Sequence, residues 1–177
     1  ADLLSQAEHG ADSQVLLVAA SMEIIEKVKA AVEEQLNVLP RKETAKAALE
    51  NSNYVVMDNA ADAFELLNNY APEHLIIASN DAVELAEKVV NAGSVFLGHY
   101  SPESVGDYAS GTNHTLPTNG YAKAYSGVSL DSFVKKITFQ ELSKEGISNI
   151  GNAVEQMAAA EGLDAHKNAV TIRLNNL

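Results

Sequence analysis

The sequence has 177 residues and twice as many acidic as basic side chains, 24 Asp and Glu against 12 Lys and Arg, for a formal net charge of −12. That charge argues against nucleic acid or an anionic membrane surface as a partner, and the longest apolar run, 15–20, is far shorter than the roughly 20 residues of a membrane span. The absence of Cys excludes disulfides and thiolate metal sites and favours a cytoplasmic protein.

Short apolar runs alternate with amphipathic segments along most of the chain, which predicts an α/β fold. We expect a mainly parallel sheet flanked by helices, an incomplete Rossmann-like arrangement followed by a C-terminal helical tail. The predicted strands are 13–20, 53–57, 75–78 and 94–97. The predicted helices are 2–9, a helix capped by Ser21 and ended by Pro40, 42–50, a helix capped by Asp58 or Asn59 that ends near Tyr70, and 81–90.

The pattern changes in the second half of the chain. Residues 98–127 read as one long loop rich in Gly and Tyr, and a loop of that length in a compact domain is usually functional. After it, Phe133 to Phe139 alternates like an exposed strand, Leu142 to Ala160 reads as a helix, and Asp164 is expected to cap a last helix. The chain begins at Ala1 already in a helical pattern, so it looks like part of something longer.

Glu73 and His74 place a carboxylate and an imidazole side by side in the string Tyr-Ala-Pro-Glu-His-Leu-Ile-Ile. Pro72 has no backbone N–H and pushes Ala71 toward an extended conformation, so a helix ending near Tyr70 cannot continue through it. We therefore expect the pair on a turn or at the first residues of a strand, where both side chains can face one small molecule. The plainer interpretation is a surface Glu beside a strand-edge His.

Several other residues are candidate metal ligands. Gln6 and His9 are three apart on a predicted helix and so share one face, and Asp107 follows a Gly in the long loop. Glu161 and His166 are five apart, which an unbroken helix would separate by about 140°, but Gly162 predicts an elbow where they can converge. Each has a structural alternative, since amides and loop carboxylates commonly serve turns and helix ends.

A nitrogen and oxygen donor set without thiolates suits zinc best among common metals, with Mn²⁺ or Co²⁺ as substitutes. The string Gly-Thr-Asn-His-Thr-Leu-Pro-Thr around His114 is dense in polar groups, which either hold a ligand or satisfy the local backbone. No Gly-rich nucleotide fingerprint, nucleophile elbow or H-E-x-x-H helix is present.

Motifs across residues 2–173 together resemble the histidinol dehydrogenase family. They are Ser-Gln-Ala-Glu-His-Gly from Ser5, Ala-Pro-Glu-His-Leu from Ala71, Ala-Gly-Ser-Val-Phe-Leu-Gly from Ala92, Gly-Asp-Tyr from Gly106, the His114 string, and Glu-Gly-Leu-Asp-Ala-His from Glu161. Family members are more than twice as long, and this chain resembles only their C-terminal part.

The resemblance implies an NAD-dependent oxidation of L-histidinol through L-histidinal to L-histidine, the last step of histidine biosynthesis. It implies general bases at Glu73 and His74, one zinc per subunit, and NAD bound mainly by an upstream domain absent from this chain. The implied zinc ligands are Gln6, His9, Asp107 and His166, and the implied substrate contacts are Gln6, His9, His74, Asp107, His114, Glu161 and His166.

For the domain organisation we predict an α/β sheet domain over residues 1–128 that carries the metal and base residues. Residues 129–177 are predicted to be a strand and helical tail exchanged between the subunits of a homodimer, as the resemblance implies. One alternative function is a non-catalytic, zinc-binding and dimerising fragment that needs a separate nucleotide-binding domain. Another is a zinc hydrolase in which Glu73 activates water, although no motif supports it.

Overall fold

A computed structural model describes residues 1–177. It divides the chain into two compact units, residues 1–133 and residues 134–177. The first unit contains α1 (Asp2–Ala7), β1 (Leu16–Ala19), α2 (Met22–Val38), α3 (Lys42–Glu50), β2 (Asn53–Val56), α4 (Ala60–Tyr70), β3 (His74–Ile77), α5 (Ala82–Ala86), β4 (Ser94–Leu97) and α6 (Glu103–Tyr108). The second unit contains α7 (Lys144–Ala160) and α8 (Asp164–Leu174). The division after residue 128 stays a prediction.

The strands of the first unit form two parallel pairs. Strand β1 pairs with β2, and β3 pairs with β4 in a register that sets His74 opposite Ser94. Parallel neighbours require crossover connections, and the helices between these strands supply them. The predicted α/β class, with parallel strands flanked by helices, is confirmed, although the strands make two separate pairs instead of one sheet.

Local signals account for several element boundaries. The Ser21 hydroxyl accepts a hydrogen bond from the Ile24 N–H at 3.4 Å at the start of α2, and the Asn59 amide oxygen accepts one from the Ala61 N–H at 2.9 Å at the start of α4. Such side chains satisfy amides that the first turn of a helix leaves unpaired. Both predicted caps are therefore confirmed.

Two apolar clusters hold the elements that later position the site. In the first, buried residues of α1 pack against α2 and α3; its members are Leu4, Ala7, Val32, Ala45 and Ala48. In the second, β3 packs between α4 and α5 through Phe64, Leu75, Ile77 and Ala82. Burial of these side chains fixes which face of each helix or strand packs against the core. The side chains on the opposite face are thereby directed away from the core.

Several sequence-based predictions in the first unit were wrong. The stretch from 98 to 127 is not one continuous loop, because it contains helix α6 and a 3₁₀ turn at Tyr121–Lys123. Helix α5 ends at Ala86 and does not run to Val90. Ala71 is not extended but lies in the left-handed region at φ 53°, ψ 66°, where it ends α4. Short helices carry too few periodic positions to be recognised from hydrophobic pattern alone.

The second unit is a pair of helices joined at Gly162, whose φ of +72° makes the predicted elbow. The segment Phe133–Phe139 is not a strand: Phe133 closes a 3₁₀ turn and no regular structure follows before Lys144. Alternation alone does not make a strand where no partner offers hydrogen bonds. Asp164 does not cap α8 but is its first residue. None of the helices combines the length and apolar character needed to cross a membrane.

Candidate active site and metal centre

Glu73 and His74 lie where the chain leaves α4 and enters β3, so their predicted position at a turn and a strand's first residue is confirmed. The backbone there is fixed from the neighbouring strand, because the Gly93 N–H donates to the Pro72 carbonyl and the Ser94 N–H to the Glu73 carbonyl, both at 2.9 Å. This is the amino end of β3, whereas open α/β sheets usually bind ligands at the carboxyl ends of their strands. The site therefore depends on other elements to enclose it.

Helix α6 is one of those elements. A Cβ on Gly106 would come within 2.6 Å of Cε1 of Phe96, so the helix packs directly against that ring. The ring of Phe96 lies 6.0 Å from the imidazole of His74, centroid to centroid. This packing brings the carboxyl groups of α6 to the entry of β3. One ligand atom each from His74, Glu103 and Asp107 lies within 4.8 Å of the other two.

Helix α1 also contributes side chains to the site. Its Leu4 and Ala7 are buried in the first apolar cluster, while Gln6 is partly buried and His9 is exposed. The His9 N–H donates to the Gln6 carbonyl at 3.3 Å, so the turn continues past the helix end and keeps the two side chains on one side. Gln6 lowers the pKa of Glu103 on α6, so the two side chains are near each other. His9 lowers the pKa values of Glu73 and His74 at the start of β3.

Burial and mutual charge shift the pKa values of three acids and bases in this cluster. Burial raises the pKa of Glu103 to about 7, and hydrogen bonding and charge repulsion from Asp107 act in the same direction, while the Gln6 side chain opposes them. Burial also raises the pKa of Glu73, which His9 opposes. Burial lowers the pKa of His74, which the Asp107 carboxylate opposes. Because the neutral imidazole is favoured, His74 is suited to accept a proton near neutral pH.

Two polar atoms in the cluster are buried without a hydrogen-bond partner, Nε2 of Gln6 and Nε2 of His74. Buried polar atoms nearly always have partners, so orphans at one place indicate a site completed by something else. The side chains around them offer imidazole nitrogen, amide oxygen and carboxylate oxygen. Those donors fit a divalent cation such as zinc, and a polar substrate would satisfy the remaining atoms.

The structure brings some of the sequence-predicted residues together and not others. Gln6, His9, Glu73, His74 and Asp107 belong to one cluster in the first unit. His114 lies exposed in the loop after α6, where the Asn113 side chain accepts a hydrogen bond from the Thr115 N–H at 2.7 Å. Glu161 and His166 are exposed residues of the second unit, on either side of Gly162.

Glu103 was missed in the sequence and is part of the cluster. It is 3% exposed, although Glu is rarely buried. One signal was available: Glu103 and Asp107 are four apart directly after Pro102, and Pro is common at helix starts. That spacing puts both carboxyls on one helix face once α6 is recognised as a helix.

Comparison with known proteins points to one family. The family profile described as histidinol dehydrogenase matches residues 1–174. The chain is 62% identical over 177 residues to a histidinol dehydrogenase of Bacteroides thetaiotaomicron, covering 100% of this chain and 41% of the relative. It is 55% identical over 176 residues to the histidinol dehydrogenase of Escherichia coli K12, covering 99% of this chain and 41% of that relative.

A solved structure gives the same result. The crystal structure of histidinol dehydrogenase from Elizabethkingia anophelis superposes with a TM-score of 0.91 at 58% sequence identity. The match covers 99% of this chain and 40% of that one. The chain therefore spans about two fifths of the length of the proteins it matches.

Proposed function

The chain belongs to the histidinol dehydrogenase family, and from that premise we propose that it supplies the metal-binding and general-base part of an enzyme that oxidises L-histidinol through L-histidinal to L-histidine with NAD. The observation that carries the proposal is the convergence of α1, the entry of β3 and α6 on one cluster of bases and ligand atoms. We assign NAD binding mainly to the part of the relatives that this chain does not match. The cytoplasmic location predicted from the sequence is part of the proposal.

For the metal we propose zinc, one per subunit, with Gln6, His9 and Asp107 of the first unit and His166 of the second as ligands. The donor types and the orphaned amide of Gln6 support this set. A second possible group, His74 with Glu103 and Asp107, shares only Asp107 with it. When bound, zinc would act mainly by orienting the amine and imidazole of the substrate.

His166 is an exposed residue of the second unit. We propose that the tail is exchanged between two copies of the chain, so that His166 and Glu161 serve the site of the partner subunit. Exposed apolar side chains on the tail agree with this, because they would be buried by a partner; among them are Ile137 at 69% and Phe139 at 91% exposed.

His74 and Glu73 are proposed to handle the protons. Neutral His74 takes the proton of the alcohol as the carbon gives its hydride to the nicotinamide of NAD, which leaves the aldehyde. Glu73 then takes a proton from water as that water adds to the aldehyde, which leaves the conjugate base of the hydrate. This adduct gives its hydride to the nicotinamide of a second NAD and becomes the carboxylic acid, whose proton passes to a base. The remaining proposed substrate contacts are Gln6, His9, Asp107, His114, Glu161 and His166.

The proposal is tested by mixing the chain with the part of the Bacteroides thetaiotaomicron relative that it does not match, adding zinc, NAD and L-histidinol, and following NADH absorbance. We expect NADH from the mixture and none from either piece alone. The matched control is His99→Ala, because His99 contacts Asn80 outside the cluster and should leave the rate unchanged.

Binding separates this function from that of a non-catalytic zinc fragment. With zinc present, the chain alone should bind L-histidinol in a titration calorimeter but show no saturable binding of NAD. If the mixture forms no NADH although both pieces are folded and zinc is bound, the zinc-binding fragment is the better description.

A further inference from the structure

Glu103 is the only residue with an ionisable side chain that is buried in this chain, and it is 3% exposed. Taking a carboxyl group out of water costs free energy unless neighbouring groups compensate. No basic side chain forms an ion pair with it; the ion pairs of Lys27 with Glu23 and of Lys29 with Glu26 both lie on α2. The compensation for burying Glu103 must therefore come from the cluster around it.

The placement of Glu103 is set by helix α6. Because Gly106 packs against the Phe96 ring, the helix cannot move away from β4 without losing that contact. Glu103 and Asp107 are one turn apart on it, and their oxygens lie within 4.8 Å of each other. Glu103 is buried while Asp107 is partly exposed. Of the two carboxyls, Asp107 is the one placed to meet a ligand, and Glu103 lies behind it.

Gln6 of α1 also lies near the carboxyl group of Glu103. Its Nε2 is buried and makes no hydrogen bond, although the Gln6 side chain is close enough to lower the pKa of Glu103. An amide has a donating and an accepting end, and pairing the donating end decides where the oxygen points. Gln6 can ligate a cation only through its oxygen, so it needs an acceptor for the nitrogen.

Resting on the proposed zinc site, we infer that Glu103 is a positioning residue: when the cation is bound, its carboxylate accepts a hydrogen bond from Nε2 of Gln6, which has no partner in this structure, and so turns the amide oxygen of Gln6 toward the cation. Groups that orient metal ligands in this way normally matter to affinity almost as much as the ligands. The competing role is that of a direct ligand together with His74 and Asp107, whose atoms are also within reach.

The test measures zinc affinity of the chain by competition with a chromophoric chelator, which does not depend on turnover. Glu103→Met keeps a side chain of similar length in a buried helical position and removes the acceptor. We expect its zinc affinity to fall about 10- to 100-fold, while Glu103→Gln, which keeps a neutral acceptor oxygen, loses less. Glu84→Met, at an exposed position of α5, is the matched control and should bind zinc normally.

A double-mutant cycle with Gln6→Ala decides how Glu103 acts. If Glu103 works through Gln6, Glu103→Met costs little or no further affinity once Gln6 is Ala. A loss of the same size in both backgrounds would overturn the inference and indicate a direct ligand, as would normal affinity of the single variant. Should Glu103→Met not fold, by circular dichroism, the same cycle is run with Glu103→Gln.

Cobalt gives a second readout that a purely structural role would not move. With Co²⁺ bound in place of zinc, Glu103→Met should show the same altered visible spectrum as Gln6→Ala, because in both variants the amide oxygen of Gln6 no longer binds the metal. An unaltered spectrum of Glu103→Met overturns the inference. The proposed function fails separately: if Gln6→Ala and His9→Ala both keep full zinc affinity, the ligand set itself is wrong.

Discussion

Gly93 lies against the backbone of Glu73 so closely that a Cβ at Gly93 would come within 2.5 Å of the Glu73 carbonyl oxygen. That oxygen is held by the Ser94 N–H at 2.9 Å, so neither group can move without loss of the parallel pairing at the start of β3. A glycine one strand away thus determines where the proposed base is presented.

Gly93→Ala should therefore both destabilise the chain and disturb the site. We expect a loss of about 1–3 kcal/mol in the free energy of unfolding from overpacking, measured by urea denaturation, and a lower rate of NADH formation in the reconstituted mixture. Gly98→Ala is the contrasting variant: a Cβ there meets nothing within 4 Å, and its cost comes only from φ of +84°. If Gly93→Ala unfolds at the same urea concentration as the parent, the close approach has no energetic consequence.

Removal of a proposed zinc ligand should remove the metal. His9→Ala and His166→Ala are expected to lower bound zinc well below one per chain after dialysis, measured by atomic absorption, because a site that loses one of its few protein ligands binds weakly. His99→Ala is the matched control, since that ring is hydrogen-bonded to the Asn80 side chain and is not among the proposed ligands. Full zinc in either ligand variant would contradict the ligand set.

The proposed bases should be separable from the metal site. Glu73→Gln and His74→Asn keep side chains of similar size and remove a proton acceptor. We expect each to lower the rate of NADH formation by about 10²- to 10⁴-fold while zinc content stays near that of the parent. Loss of zinc together with activity in His74→Asn would instead favour His74 as a ligand in the group with Glu103 and Asp107.

Tyr70, at the end of α4, gives a prediction on pH dependence. Burial raises its pKa above 10.0, and its hydroxyl donates to the Gln14 side chain at 2.8 Å. The folded chain therefore keeps this proton at pH values where the unfolded chain has released it, so stability falls as pH rises beyond about 10. Tyr70→Phe should flatten this part of the curve in chemical denaturation, whereas Tyr100→Phe, at a residue 98% exposed, should not. Parallel curves for Tyr70→Phe and the parent would show that Tyr70 does not contribute.

Local chemistry made part of the fold predictable. The helix Lys42–Glu50 and the strand Ser94–Leu97 were predicted with the bounds that the structure has. Helix caps, glycine elbows and apolar periodicity depend on residues a few positions apart, and those signals are complete within the sequence. The same holds for Glu73 and His74, whose entry to a strand follows from the neighbouring proline.

Other features depend on contacts between distant parts of the chain. Phe133 to Phe139 alternates like a strand but has no partner to pair with, and α6 is too short to show a period. The burial of Glu103 comes from packing between Gly106 and Phe96, which no local pattern records.

By itself the sequence determined the α/β class, the family resemblance and the residue types of a nitrogen and oxygen metal site with two neighbouring bases. Only the tertiary structure decided that Gln6, Glu103 and Asp107 meet beside Glu73 and His74, since that meeting results from packing α1 and α6 against separate apolar surfaces. Burial then set the pKa values of the acids and bases, because the free energy of a charge depends on how much water surrounds it.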